Sequence, residues 1–214
     1  MTANPVAKMR SSPETVTPET IAEAALEILR LEGPDALSLR RVADALGTNH
    51  VTVYRRCGSF EGLLDICADH VAAGFPEVAD TLDWATATEM RFDAAYEMWA
   101  AHADLIVLMH GRAWLGKNMM TRFYEPAMRS IVSAGRSNAQ AARFFSVLYW
   151  LTMGSVVSNR ANPWTPQESH AAAEKLGLDK IPTVAAVMVE VAAFDIREVF
   201  RKALRKLIAE ADDH

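Results

Sequence analysis

Ser38-Leu39-Arg40-Arg41-Val42-Ala43-Asp44-Ala45-Leu46-Gly47-Thr48-Asn49-His50-Val51-Thr52-Val53-Tyr54-Arg55-Arg56 reads as two short helices joined by a tight turn. Ser38 is placed to cap the first helix, where a side-chain oxygen satisfies an otherwise orphan backbone N–H. Val42, Ala43 and Leu46 give that helix one apolar stripe. Gly47 follows at once, and glycine tolerates the left-handed conformation that stops a helix. Asn49 is placed to cap the second helix. Val51, Val53 and Tyr54 would also suit a strand, but the run is too short for a buried strand between two caps. The plan is that of a helix-turn-helix, whose second helix lies in the DNA major groove with its first residues at base edges. The residues expected at DNA are Ser38, Arg40, Asn49, His50, Thr52, Tyr54, Arg55 and Arg56. By pattern alone, a solvated helical hairpin with surface arginines stays open, because such hairpins are common in all-α proteins.

The flanks narrow the choice. Upstream lies an amphipathic run from Ile21 to Leu29, followed by Gly33; downstream lies Ser59-Phe60-Glu61-Gly62-Leu63-Leu64. With Ile21, Ala24, Ala25, Leu29, Gly33, Leu37-Ser38-Leu39-Arg40, Val42-Ala43, Leu46-Gly47, Thr52, Val53-Tyr54-Arg55 and Leu63-Leu64, the segment from about 15 to 75 resembles the TetR family of bacterial transcriptional repressors. Phe194-Asp195 and the run from Phe200 to Leu207 are similar to the dimerising end of the tetracycline-repressor-like branch. The resemblance implies an all-α fold: a three-helix DNA-binding head, a fourth helix joining it to a larger body, and a homodimer that reads a palindromic operator. It implies a head over residues 15–75, with its helix-turn-helix core at 38–57, and an effector-binding and dimerisation body over 76–214. Two positions depart from the family: Phe60 stands where a phosphate-contacting lysine is usual, and Cys57 where an aromatic or apolar residue is usual.

Composition agrees with a helical globule. Half of the residues are apolar and 23% are charged, which argues against disorder. No apolar run approaches the ~20 residues that a membrane span needs. The N-terminus lacks the apolar centre of a signal peptide, and Cys57 and Cys67 do not make a disulfide framework, so cytoplasmic placement is expected. The net charge of −5 argues against a general nucleic-acid coat. Residues 1–75 hold seven Lys and Arg against ten Asp and Glu, a charge of −3. Four arginines fall inside the helix-turn-helix, so a small basic face on an acidic body is expected. Such a head suits specific sites, since non-specific affinity comes almost wholly from phosphate contacts.

Taken in order, residues 1 to about 16 read as a mobile polar tail; Lys8 and Arg10 are candidates to enter a minor groove, against the simpler and preferred reading of a plain disordered terminus. Thr17-Pro18 opens the first helix as N-cap and N1. The fourth helix runs from Ser59 to about Ala73, and Gly74-Phe75-Pro76 breaks it. Body helices are predicted over Asp83–Ala101, His102–Trp114, Lys117–Ala134 with a kink at Pro126, and Asn138–Asn159. A loop at Asn162–Pro166, a short helix from Pro166 to Leu176 ended by Gly177, and one long helix from Pro182 past Ile208 complete the chain. The Asn138–Asn159 helix is apolar nearly all round, which marks a core or an interface. Ala142, Ser146, Trp150, Gly154 and Ser158 form an i+4 row on it. Val184, Val187, Met188, Val191, Val199, Ala203 and Leu207 form a stripe on the last helix. In the family these two helices pair with their twins.

Trp99, His102, Met109, His110, Trp114, Phe123, Tyr124, Tyr149 and Met153 are the candidates to line a cavity for a small hydrophobic effector, because apolar walls with few polar groups suit such a ligand. The same pattern also describes ordinary core packing. No cofactor is implied, and a metal site has little support: His102 and His110 are eight apart, without the i+4 pairing of a helical site. Cys57 beside the recognition helix raises thiol oxidation as a switch, against the simpler role of a small buried side chain. No nucleophile elbow, phosphate-cradling loop or paired-carboxylate signature is present, so an enzyme is not expected. Two alternatives remain: a dimeric small-molecule-binding protein without DNA binding, and an all-α enzyme.

Overall fold

The computed structural model describes residues 16–79, 81–109, 112, 116–161, 171, 175 and 181–212, and among them all regular structure is helical. Thr17 and Pro18 open α1 (Pro18–Glu32) as the sequence predicts. The Thr17 and Thr20 hydroxyls each accept the other residue's N–H, at 3.3 and 3.0 Å, satisfying donors that a helix start leaves open. Ser38 Oγ accepts the Arg41 N–H at 3.1 Å to start α2 (Leu39–Ala45). Gly47 at φ 63° ends it. There Thr48 N–H reaches Ala43 O at 2.9 Å and Gly47 N–H reaches Asp44 O at 3.2 Å, the paired bonds of a Schellman stop. Asn49 caps α3 (His50–Cys57) by accepting the Val51 N–H at 2.9 Å. Ser59 caps α4 (Phe60–Ala73) by accepting the Gly62 N–H at 3.1 Å. Gly62 is needed for closeness: a Cβ there would stand 1.8 Å from the Cys57 carbonyl oxygen. The first turn of α4 therefore rests directly on the end of α3. Ile21, Ala25 and Ile28 of α1 meet Val42, Val53, Leu63 and Cys67 in the core of the head.

Among the described residues the body contains α5 (Trp84–Ala101), α6 (Ala103–Leu108), α7 (Lys117–Met119), a π-helical turn (Met120–Tyr124), α8 (Glu125–Ser133), α9 (Asn138–Ala161), α10 (Pro182–Ala193) and α11 (Ile196–Asp212). α5 packs against α8, α9 and α11. Phe92, Tyr96 and Trp99 supply its buried face, and Tyr96 stacks on Phe200 of α11 at 4.7 Å. Along the same seam Arg201 pairs with Asp93 through two bonds of 2.7 Å, Arg205 pairs with Glu89 at 2.6 Å, and Arg197 pairs with Glu97. Head and body share one buried core, with the Phe75 ring at the end of α4 lying 5.2 Å from Phe123.

Three expectations for the body need correction. The long C-terminal helix is two helices, parted at Phe194–Asp195. Asp195 Oδ1 accepts the Arg197 N–H at 2.8 Å and so begins a new helix, a local competition typical of Asp. The helix expected from His102 is only Ala103–Leu108 within the described residues, and His102 itself, at φ −126° and ψ 37°, is the corner between α5 and α6. The 117–134 segment does not simply kink at Pro126: it widens into the π-helical turn just before it. A proline ring clashes with the carbonyl four residues back, and a wider turn is one way to relieve that. Lys8, Arg10, the loop after Asn162, and the helix to Leu176 apart from Ala171 and Lys175 lie outside the described residues.

Candidate functional site

The residues expected at DNA form one surface. His50, Tyr54, Arg55 and Arg56 are exposed on α3, with Thr52 half-buried between them. Val53 and Cys57 face inward and hold the helix to the head. Arg40 is exposed on α2, and Ser38 and Asn49 are exposed at the two caps. Both caps already accept a backbone N–H. Arg41 behaves differently from its neighbour. Its guanidinium pairs with Glu32 of α1 through two hydrogen bonds, one of them 3.0 Å, which ties α2 to α1. Phe60 is half-buried and packs on the core, turning inward where a lysine would face a phosphate.

Both cysteines are buried and free. Burial pushes the Cys57 thiol up; burial, with Cys57 nearby, pushes Cys67 up to about 12. Such groups are thiols at neutral pH and poor nucleophiles, which fits the packing role and not a redox switch.

α4 is latched to the body at two points. Asp69 accepts the Asn118 N–H at 2.7 Å and the Asn118 side-chain amide at 3.0 Å. Gly116 makes room for that carboxylate, since a Cβ there would stand 2.3 Å from Asp69 Oδ1. One turn earlier on α4, Asp65 pairs with Arg112 at 2.8 Å. Arg112 and Asn118 are thereby tied to α4, whose first turn rests on the end of α3 at Gly62.

The structure brings together four of the expected effector residues. The Trp99 ring lies 5.7 Å from Phe123 and 5.4 Å from Tyr149, and Tyr124 lies 5.6 Å from Phe123 and 6.1 Å from Tyr149. The two tyrosine hydroxyls are hydrogen-bonded to each other, and burial raises the pKa of both. Met109 is buried and Met153 half-buried. His102 is elsewhere. It lines a cavity of about 410 Å³ between α1 and the α5–α6 corner, with Glu23, Glu27, Arg30 and His70. Burial, and secondarily His70, holds its pKa below the usual histidine value. His110 and Trp114 lie outside the described residues. A second cavity, of about 640 Å³, was not anticipated from sequence; Arg91, Arg122 and Arg129 line it beside the link from α4 to α5. Its one sequence signal was Arg91, the one charged residue on the buried stripe of α5. Among the described residues no three His, Cys, Asp or Glu side chains gather as metal ligands would.

Two family models match in sequence. Residues 21–65 match that of the bacterial regulatory proteins of the tetR family, and residues 75–210 match the tetracyclin repressor-like C-terminal domain. The chain belongs to the TetR family. TetR family proteins are transcriptional regulators, not enzymes. Among individual relatives, the HTH-type transcriptional repressor DrrR1 of Streptomyces coeruleorubidus is 33% identical over 113 residues, a match that spans 52% of this chain and 42% of that protein. Apo ActR of Streptomyces coelicolor, a TetR family protein, is 27% identical and superposes with a TM-score of 0.78 over 95% of this chain and 97% of its own. The same protein in complex with actinorhodin gives 0.75 at 27% identity, over 92% and 95%. The all-α architecture of helix-turn-helix head and larger helical body is thus that of a TetR family regulator. No helix among the described residues is long and apolar enough to cross a membrane.

Proposed function

We propose that this chain is a ligand-responsive repressor in the cytoplasm, one that binds a near-palindromic operator as a homodimer and leaves it when a small apolar effector binds in the body. The observation that carries the reading is the exposed face of α3 with Arg40 beside it, on a head that α4 joins to the body through Asp69 and Asn118. His50, Thr52 and Arg40 read bases; Tyr54, Arg55 and Arg56 meet phosphates, with Ser38 and Asn49 adding contacts at the caps. The dimer face consists of α9, α10 and the start of α11, where Trp150 is 68% exposed and Val147, Val184, Val187, Val191 and Val199 are exposed with it. Apolar patches of that extent mark interfaces, and a two-fold dimer sets two recognition helices one DNA turn apart, about 34–36 Å. Ligand response is supported by ActR, which has been seen with actinorhodin and with (S)-DNPA. The effector reaches the Trp99, Phe123, Tyr124 and Tyr149 rings, with Met109 and Met153 belonging to the same core.

The test begins with selection of binding fragments from random-sequence DNA by the full chain. Thr52→Ala and Arg40→Ala relax base preference, while Arg56→Ala weakens all sites about equally. Unchanged affinity in all three variants defeats the assignment. A dimer that selects no sequence would be the alternative favoured by Phe60 and the acidic head: a ligand-binding protein without DNA binding.

A further inference from the structure

We propose that His70 and His102 make the joint between head and body proton-sensitive: when mild acid charges both rings, the corner between α5 and α6 comes away from α1 and α4. The consequence for DNA rests on the regulator reading above; the opening of the joint does not.

The two imidazoles arrive from opposite sides. His70 belongs to α4 and His102 to the body, and both line the cavity of about 410 Å³ that runs along α1. α6 starts at this corner and packs against both α1 and α4. Each histidine is half-buried. A charge on His102 meets opposition of three kinds. Burial takes away its water. His102 is also the N-cap of α6, beside unpaired N–H groups that disfavour a cation, and its side chain makes no capping bond there. From across the cavity His70 adds a charge of the same sign; it stands in the last turn of α4, the end of a helix where cations sit. Burial first, and His70 second, hold the His102 pKa below the usual histidine value.

The carboxylates around the cavity do little to offset this. On α1, Glu27 is bonded to Arg30 at 2.8 and 2.6 Å. On α4, Asp65 and Asp69 are taken up by Arg112 and Asn118, and on α5 Glu97 by Arg197. Asp104 faces the cavity from α6 and is engaged by another residue. The 3₁₀ turn Pro34–Ala36 also packs on α6, but its Asp35 is exposed and outside the lining. α9 packs there too and carries no charged residue from Phe144 to Asn159. Glu19, which feels the His70 charge, and Glu23 remain. Both are exposed on α1, where water weakens their attraction.

Opening the joint returns water to His102 and with it an ordinary pKa of about 6.5. The lowered value in the closed joint therefore favours closure above about pH 6.5, and that preference is lost as pH falls below it. One proton taken up on opening shifts the balance by up to about tenfold per pH unit.

Backbone hydrogen exchange of the full chain at pH 7.5 and 5.5 tests this, with each rate corrected for its intrinsic pH dependence. Protection of the α6 amides is expected to fall several-fold at pH 5.5, to at most about tenfold, while the amides of α8 keep theirs. His102→Gln, a neutral polar replacement, is expected to remove the effect, and His70→Gln to reduce it. Equal protection of α6 at the two pH values, an equal loss across α8, or the same loss in His102→Gln overturns the proposal. Should His102→Gln fail to fold, His70→Gln decides: an acid loss of full size in that variant overturns the pairing of the two rings. A selected DNA fragment separates the two claims. Wild type is expected to match His102→Gln in affinity at pH 7.5 and to bind more weakly than it at pH 5.5; His50 of α3 is common to both proteins and cancels. Loosening without that difference overturns the link to DNA alone, and a chain that binds no DNA at pH 7.5 overturns the regulator reading alone.

Discussion

Gly62→Ala is the sharpest probe of how the recognition helix is held. The added methyl would sit 1.8 Å from the Cys57 carbonyl oxygen and 3.0 Å from its carbon, where an ordinary contact is about 3.5 Å or more. The obstacle is main chain at the end of α3, so no rotamer change relieves it. The two helices must part by more than about 1 Å. Overpacking of this kind costs about 1–3 kcal/mol. Alanine recovers at most ~1 kcal/mol of helix propensity, and less at Gly62, which lies in the first turn of α4. A net loss of about 2 kcal/mol is expected. For a chain of this size that lowers Tm by roughly 4–8 °C, readable by circular dichroism at 222 nm. Because the displaced element is α3, operator affinity should fall further than stability alone requires at temperatures where the variant is fully folded. A variant with unchanged Tm and unchanged DNA affinity would refute the close approach of α3 and α4 and the mechanical link built on it.

Trp150→Glu with Val187→Glu places charges on exposed side chains, so helix content should persist while sedimentation shows a monomer; a surviving micromolar dimer would exclude this face. Asn118→Ala leaves the Asp69 latch with only its backbone donor. The expected loss is about 1–2 kcal/mol, with faster hydrogen exchange across Leu63–Val71, and unaltered exchange would mean that α4 is held elsewhere. The pH dependence follows from Asp93, whose pKa the bonded Arg201 guanidinium holds below its ordinary value. A depressed carboxylate stabilises the fold above its unfolded pKa of about 3.9, and that contribution is lost as pH falls through the folded value. The urea midpoint should therefore drop below about pH 4, and less steeply in Asp93→Asn; equal slopes would remove the pair from the acid response.

The head was legible because its signals are local. Thr17, Ser38, Asn49 and Ser59 each cap the helix that immediately follows, and Gly47 stops the one before it; no distant contact is needed to read them. The body hides more because its decisive features are tertiary. Nothing in the run from Lys117 announces a π-helical turn except Pro126, and a kink was the simpler expectation. Asp195 splits the C-terminal helix by capping, a choice that apolar periodicity on both sides conceals. The ring cluster of Trp99, Phe123, Tyr124 and Tyr149 was foreseeable as apolar content, but the arginine-lined cavity was not: its three arginines come from separate elements and only the fold brings them together. His102 was grouped with the rings as one of the few polar groups among them and stands instead at the seam between α1 and the α5–α6 corner.

The three ion pairs between α5 and α11 have a consequence for register. Glu89, Asp93 and Glu97 repeat every four residues, and Arg197, Arg201 and Arg205 answer them in the opposite direction. Sliding one helix by a full turn would keep two of the three rungs, and Arg201 already stands 3.9 Å from Glu97. Exposed pairs contribute about 0–1 kcal/mol each, so the ladder discriminates only weakly between neighbouring alignments. Tyr96 against Phe200 has no such periodic substitute. A slip of one turn would part that stack and unseat Phe200, Leu204 and Ile208 from the core. The charges therefore guide the two helices together, and one aromatic stack selects the alignment that survives.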